Sequence, residues 1–201
     1  MADDLSAAAF VALVDGRRGH FRLESGHHGG LWLDLDPLFS SPRRIEPFVT
    51  RLASALRRYE VDFVCGPLLG GAFLAQLIAG ARGLDFLFAE RVAPDATAGM
   101  FEVRYRLPAA FASRVRGKRV VIVDDVMSAG SALRGTFAEL EAHGARTVVA
   151  GALLILGNTG ESFFRGRSVA VEAVARDRYE TWIPSECPLC AAGTPLENTP
   201  V

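Results

Sequence analysis

The segment that most restricts the fold is Val120-Val121-Ile122-Val123-Asp124-Asp125-Val126-Met127-Ser128-Ala129-Gly130-Ser131-Ala132. Val120, Val121, Ile122 and Val123 predict a strand buried on both faces, as in a parallel sheet. Two carboxylates close it, and a turn of small and hydroxyl residues follows. Leu133, Phe137 and Leu140 then keep helical spacing up to His143-Gly144. Units of this kind build open α/β sheets, whose ligands sit beyond the carboxyl ends of the strands.

The rest of the chain agrees. Apolar runs predict strands over 21–23, 31–35, 61–65, 84–89, 147–156 and 169–174. Helical spacing covers 3–14, 72–81 and a stretch opened by Ser41-Pro42, where Ser caps and Pro fills the first turn. That stretch carries Ile45, Phe48, Val49, Leu52, Leu56 and Tyr59. Residues 66–71 read as a turn and 90–100 as a loop. Phe101, Val103 and Tyr105 alternate with charged residues as a half-exposed strand does. The fold class is α/β, with a largely parallel sheet flanked by helices. From Pro184 onward the tail, 184–201, reads as irregular.

Composition narrows the function. At 201 residues the chain suits one domain with a small appendage, and half of its residues are hydrophobic, enough for a packed core. A net charge of −1 gives no basic stripe for a polyanion, so nucleic acid is not an expected partner. Met1-Ala2-Asp3-Asp4 lacks the positive start of a secretory signal. The apolar run 148–156 falls far short of the roughly 20 residues that span a bilayer. Three cysteines are too few for a disulfide framework. These features predict a cytoplasmic protein with no membrane partner.

Each part of the 120–132 segment has a chemical use. The Ser128-Ala129-Gly130-Ser131 turn can aim backbone N–H groups into a concavity, and the helix start adds partial positive charge, so a phosphate monoester fits there without a lysine. Asp124 and Asp125 accept hydrogen bonds, which suits two vicinal ribose hydroxyls or metal-bound water. Phosphate and diol together describe a ribose 5-phosphate. Phospho-acceptor receiver domains also end a strand in two acids, but near the domain start and without a phosphate cradle after them. Walker and dinucleotide fingerprints are absent.

Val120 to Ala132 resembles the ribose-pyrophosphate signature of the type I phosphoribosyltransferases. Two further segments agree in order and spacing. Residues 61–75, with the turn Gly66-Pro67-Leu68-Leu69-Gly70-Gly71, resemble the family's pyrophosphate loop. Gly19 to Gly26 followed by Leu31-Trp32-Leu33-Asp34 resembles the hood of its orotate branch. The resemblance implies transfer of a phosphoribosyl group to a nitrogenous base, with small-molecule substrates, Mg²⁺ bound with the ribose pyrophosphate, and a homodimer. One domain would fill 1–201, with 1–40 contributing the hood.

It also implies roles. Asp124 and Asp125 would hold the ribose hydroxyls. Val126, Met127, Ser128, Ala129, Gly130, Ser131 and Ala132 would take the 5-phosphate, and the turn from Gly66 to Gly71 would face the pyrophosphate. Arg91 would close over it, ahead of Arg104 and Arg106. Trp32, Leu33, Ser128 and Asn158 would face the base. His27 and His28, in the hood turn, read as exposed loop histidines, with contact to the base as the other reading.

The departures concern the base side. Glu24 and Gly70 stand where the orotate branch often has lysines, and 90–100 offers only Arg91 as a cation. Gly157-Asn158 stands where that branch has an Asp-Arg pair, and Asn158 can hydrogen-bond a base edge without neutralising a carboxylate. Orotate leads as acceptor. A salvage enzyme for another base and a non-catalytic sensor of ribose pyrophosphate are the other readings. Cys187-Pro188-Leu189-Cys190 has the spacing of half a structural zinc site; its other ligands would come from a partner subunit, or the tail is a plain apolar wrap.

Overall fold

The computed structural model describes residues 4–23, 26–92 and 104–197. In chain order its elements are α1 (Ala7–Leu13), β1 (Arg17–Arg22), β2 (His28–Trp32), α2 (Pro42–Leu56), β3 (Phe63–Pro67), α3 (Gly70–Arg82), β4 (Asp85–Val92), β5 (Arg104–Arg106), α4 (Ala109–Ala112), β6 (Arg119–Met127), α5 (Ser131–Ala142), β7 (Arg146–Leu156), α6 (Thr159–Arg165), β8 (Ala170–Asp177), β9 (Thr181–Trp182) and α7 (Pro188–Ala191). One sheet has six strands in the order β5-β4-β3-β6-β7-β8, and a second has three, β1-β2-β9. From β4 to β8 every pairing is parallel; β5 alone runs antiparallel, on the edge of β4.

Strand parity divides the core into two layers. Val64, Val121 and Val123 face one way, into a cluster with Ile45, Leu52 and Leu56 of α2 and Leu74 and Ile78 of α3. Cys65, Val120 and Ile122 face the other way, onto Leu133, Phe137 and Leu140 of α5 and Phe164 of α6. Period 2 in the strands and period 3.6 in the helices meet on each face, giving three layers with the parallel sheet buried in the middle. Gly83 ends α3 in the left-handed region at φ 67°, a conformation that glycine takes without a steric penalty.

Several elements differ from expectation. The first helix is shorter, and Ser6 caps it by accepting from the Ala9 amide at 3.2 Å. Ser41 holds the N-cap position of α2 without a side-chain bond, so Pro42 alone prepares that start. Of the predicted turn 66–71, Gly66 and Pro67 are strand, Gly70 and Gly71 are helix, and only Leu68 and Leu69 turn. Glu90, Arg91 and Val92 extend β4 out of the predicted loop, because β5 pairs with them. The predicted strand at 31–35 lies earlier, at His28–Trp32. Pro184–Glu186 and Pro188–Ala191 are helical turns within a tail expected to be irregular. The expectations for Glu24 and Ser25, for 93–103 and for 198–201 fall outside the described residues.

Candidate active site

Strand order fixes where a ligand can enter. The chain passes from β3 to β4 on one side and returns to β6 on the other, so a switch point lies between the carboxyl ends of β3 and β6. β3 pairs with β6 only through Phe63, Val64 and Cys65, opposite Val120, Val121 and Ile122. β6 stays paired with β7 as far as Met127, opposite Ile155. Asp124 and Asp125 therefore lie within a strand, beside the gap that opens where β3 turns away.

Two glycine turns enclose that gap. On the β3 side, the Leu68 amide donates to the Ala89 carbonyl at 2.9 Å, and α3 starts at Gly70 with no side-chain cap. A Cβ on Gly66 would overlap the Gly71 carbonyl and stand 2.8 Å from the Ala72 nitrogen. One on Gly70 would overlap Oδ2 of Asp125, and one on Gly71 would come 2.9 Å from Oδ1 of Asp124. The three glycines thus bring the start of α3 onto both carboxylates. The absence of a lysine at position 70 has a local meaning here, because Asp125 fills the space that its Cβ would need.

On the β6 side, Gly130 takes φ 74° at the N-cap of α5, again with no side-chain cap. The first amides of a helix have no intrahelical acceptor, so those of α5 face outward as donors. The Ser128 carbonyl accepts from the Gly160 amide at 3.0 Å, which ties this turn to the start of α6. Val126 and Met127, expected to share in the cradle, continue the ladder opposite Leu154 and Ile155, and the Met127 side chain is fully buried. The turn itself begins at Ser128.

Each carboxylate gives one oxygen to the backbone. Asp124 Oδ1 accepts from the Asp125 amide at 3.1 Å, and Asp125 Oδ1 accepts from the Val126 amide at 2.7 Å. Burial raises the pKa of both; for Asp124 the adjacent Asp125 charge adds to it and the rise is large. A pair held in this way is poised to accept hydroxyl hydrogens or face a cation, because either partner relieves the buried negative charge. Oxygen donors of this kind suit Mg²⁺.

Arg91 lies exposed on β4, directly across from Tyr105 on β5. The Tyr105 phenol has its pKa raised by burial and then by the charge of Asp124, with Arg91 opposing. The same electrostatic neighbourhood therefore holds Asp124, Tyr105 and Arg91, and in the sequence Tyr105 carries no signal beyond its place in a half-exposed strand. Asn158 is exposed at the N-cap of α6, two residues before Gly160. Trp32 and Leu33 belong to the other sheet's side: the Arg17 guanidinium lies 5.0 Å from the Trp32 ring, and Leu33 packs against the core around Phe10.

His28 corrects an expectation, being buried on β2 rather than exposed in a loop. With His20, Cys187 and Cys190 it forms a cluster whose ligand atoms all lie within 4.8 Å of one another. Two histidines of the same chain thus lie beside the Cys187/Cys190 pair. Neither histidine was paired with the cysteines from sequence, although a hairpin carrying His20 and His28 upstream of a C-x-x-C is the signal that could have linked them.

A model of the phosphoribosyl transferase domain matches residues 42–172, which hold both glycine turns and both acids. The chain belongs to the type I phosphoribosyltransferase family and is a transferase. Within that family its similarity runs to the orotate phosphoribosyltransferases. It is 32% identical over 180 residues to the one from Carboxydothermus hydrogenoformans, covering 89% of this chain and 87% of that one. It is 29% identical over 179 residues to the one from Caldanaerobacter subterraneus, covering 89% and 87%. The crystal structure of orotate phosphoribosyltransferase from Aeropyrum pernix shares the fold, with a TM-score of 0.65, 18% identity and coverage of 85% and 92%.

Proposed function

We propose that this enzyme transfers the phosphoribosyl group of 5-phosphoribosyl 1-pyrophosphate to orotate. The observation that carries the reading is the pair Asp124–Asp125 enclosed by two uncapped helix starts at one switch point. The C1–oxygen bond to pyrophosphate breaks, a ring nitrogen of the base bonds to C1, and pyrophosphate leaves. Asp124 and Asp125 orient the ribose hydroxyls through their remaining oxygens. The amides from Ser128 to Ala132 hold the 5-phosphate, and the turn from Gly66 to Gly71 faces the pyrophosphate with the amides at the start of α3, since Pro67 has no N–H and the Leu68 amide already donates to Ala89. Arg91 closes over the leaving group and excludes water. Mg²⁺ bound with the ribose pyrophosphate supplies charge neutralisation at the leaving oxygens.

On the base side, Ser128 and Asn158 meet the base edge, while the hood contributed by 1–40 brings Trp32; Leu33 packs against the core around Phe10 instead. The reading includes a single domain over 1–201 and a cytoplasmic setting. Among the described residues no helix is long and apolar enough to cross a membrane. A homodimer is also part of the reading; Leu69, Phe73 and Leu77 leave apolar surface exposed on and beside α3, and light scattering tests the mass.

A second reading keeps the reaction and changes the base, because Asn158 carries no charge to match the carboxylate of orotate. Pyrophosphate release measured with ribose pyrophosphate, Mg²⁺ and orotate, uracil, hypoxanthine or adenine separates the two. Release with orotate supports the first reading, and release only with another base supports the second. Saturable binding of ribose pyrophosphate without turnover on any base overturns both in favour of a sensor.

A further inference from the structure

We propose that His20, His28, Cys187 and Cys190 bind one Zn²⁺, and that this ion clips the C-terminal tail to the β1–β2 hairpin. The four residues come from three places: His20 from β1, His28 from the start of β2, and the two cysteines from the N-cap and body of α7.

The distances fit a tetrahedral ion. Zinc bonds of about 2.3 Å to sulfur and about 2.0 Å to nitrogen put tetrahedral ligand atoms roughly 3.3 to 3.8 Å apart. His20 Nε2 lies 3.4 Å from Cys187 Sγ, 3.7 Å from Cys190 Sγ and 3.0 Å from His28 Nδ1. Cys190 Sγ lies 3.3 Å from His28 Nδ1. Three of these four separations match that range and the His20–His28 pair is slightly shorter, while all four ligand atoms lie within 4.8 Å of one another.

Hydrogen bonding alone does not explain the convergence. His20 Nδ1 lies 2.9 Å from the Thr194 carbonyl, an acceptor only, so that nitrogen carries the proton. In the neutral ring Nε2 then offers a single lone pair, and three polar atoms crowd onto it. Fixing the tautomer through a backbone carbonyl is also how metal-bound histidines are oriented. His20, His28 and Cys187 are all buried, so the donors lie where an ion would be shielded from water. Two thiolates and two neutral imidazoles balance the charge of one Zn²⁺. Four protein ligands leave no open position, which makes the site structural.

The fold has a use for such a clip. The β1-β2-β9 sheet is small, and with only two residues in β9 it is little more than the β1–β2 hairpin; an isolated hairpin is marginal without further packing. The tail returns across the same hairpin, where the Glu197 amide donates to the His20 carbonyl at 2.7 Å. Coordination would lock α7 and the residues after it against β1 and β2. None of this depends on which base the enzyme uses.

The test is elemental analysis of the full chain, made without a histidine tag, purified under reductant and dialysed against metal-free buffer without chelator. About one zinc per chain is expected. Chelated protein reloaded with Co²⁺ should show thiolate-to-cobalt charge transfer. Cys190→Ser and His28→Asn should each lose the zinc, whereas Cys65→Ser keeps it. Proteolysis of the metal-free wild type should cut the tail faster than the loaded protein, a readout that survives if a variant fails to fold. Metal far below one per chain with no Co²⁺ uptake overturns the proposal, and so does stoichiometric iron in place of zinc.

Discussion

Replacing Gly66 by alanine puts one methyl group into the tightest backbone approach of the site. The added Cβ would overlap the Gly71 carbonyl and stand 2.8 Å from the Ala72 nitrogen. Those neighbours are main chain, held between β3 and α3, and cannot swing aside as a side-chain tip does. Overpacking in a filled site costs typically 1–3 kcal/mol, and a backbone neighbour argues for the upper end, about 3 kcal/mol. For a domain of this size each kcal/mol lowers the melting temperature by roughly 2–4 °C, so a fall of roughly 6–12 °C is expected. The pyrophosphate turn would shift with it, and a displacement on the order of 1 Å costs about 100-fold in rate. Gly80→Ala is the matched control: Gly80 lies within α3 with nothing within 4 Å of its added Cβ. Alanine there should stabilise by about 1 kcal/mol and leave turnover unchanged. Thermal melts and initial rates of both variants decide the matter. If Gly66→Ala melts with the parent and keeps its rate, the close packing of this turn is not what shapes the site.

The paired acids make stability depend on pH. Both carboxyls have raised pKa values in the folded state, so the folded chain holds protons that the unfolded chain releases, and this contribution to stability falls as pH rises from about 4 toward neutrality. The double variant Asp124→Asn, Asp125→Asn should therefore gain melting temperature over the parent as pH rises through that window, and a constant gap across it would refute the assignment. Arg91→Ala, at an exposed position on β4, should lower kcat about 100-fold, as loss of a transition-state donor does, with an unchanged melt; normal kcat would remove Arg91 from the machinery.

The sequence made the parallel core legible where one residue type dominated. Val120 to Val123 reads as a buried strand, and the spacing of Leu133, Phe137 and Leu140 reads as the helix above it. Strand ends were less visible. The acids look like a terminus, yet β6 runs on to Met127 because β7 pairs with it on the far side. Helix α6 escaped notice because Gly157, Asn158, Thr159 and Gly160 carry turn chemistry, and only Gly160 and Phe164 of the helix are buried. The two-residue β9 has no periodicity to read.

The site shows the same division. Its acids and glycines lie close together within 66–71 and 124–131, where local spacing carries the information. Tyr105 comes into the electrostatic neighbourhood of Asp124 through the antiparallel pairing of β5 with β4. His20 meets Cys187 from 167 positions away in the chain, a juxtaposition that depends on the whole fold.

The central claim is that Asp124 and Asp125, between the two glycine turns, hold the ribose of the pyrophosphate donor during transfer. Initial rates of pyrophosphate release by the double variant Asp124→Asn, Asp125→Asn, with donor, Mg²⁺ and the preferred base at saturation, test it most directly. The account predicts release at background in a protein that melts no lower than the parent. Undiminished turnover in that folded variant would contradict it.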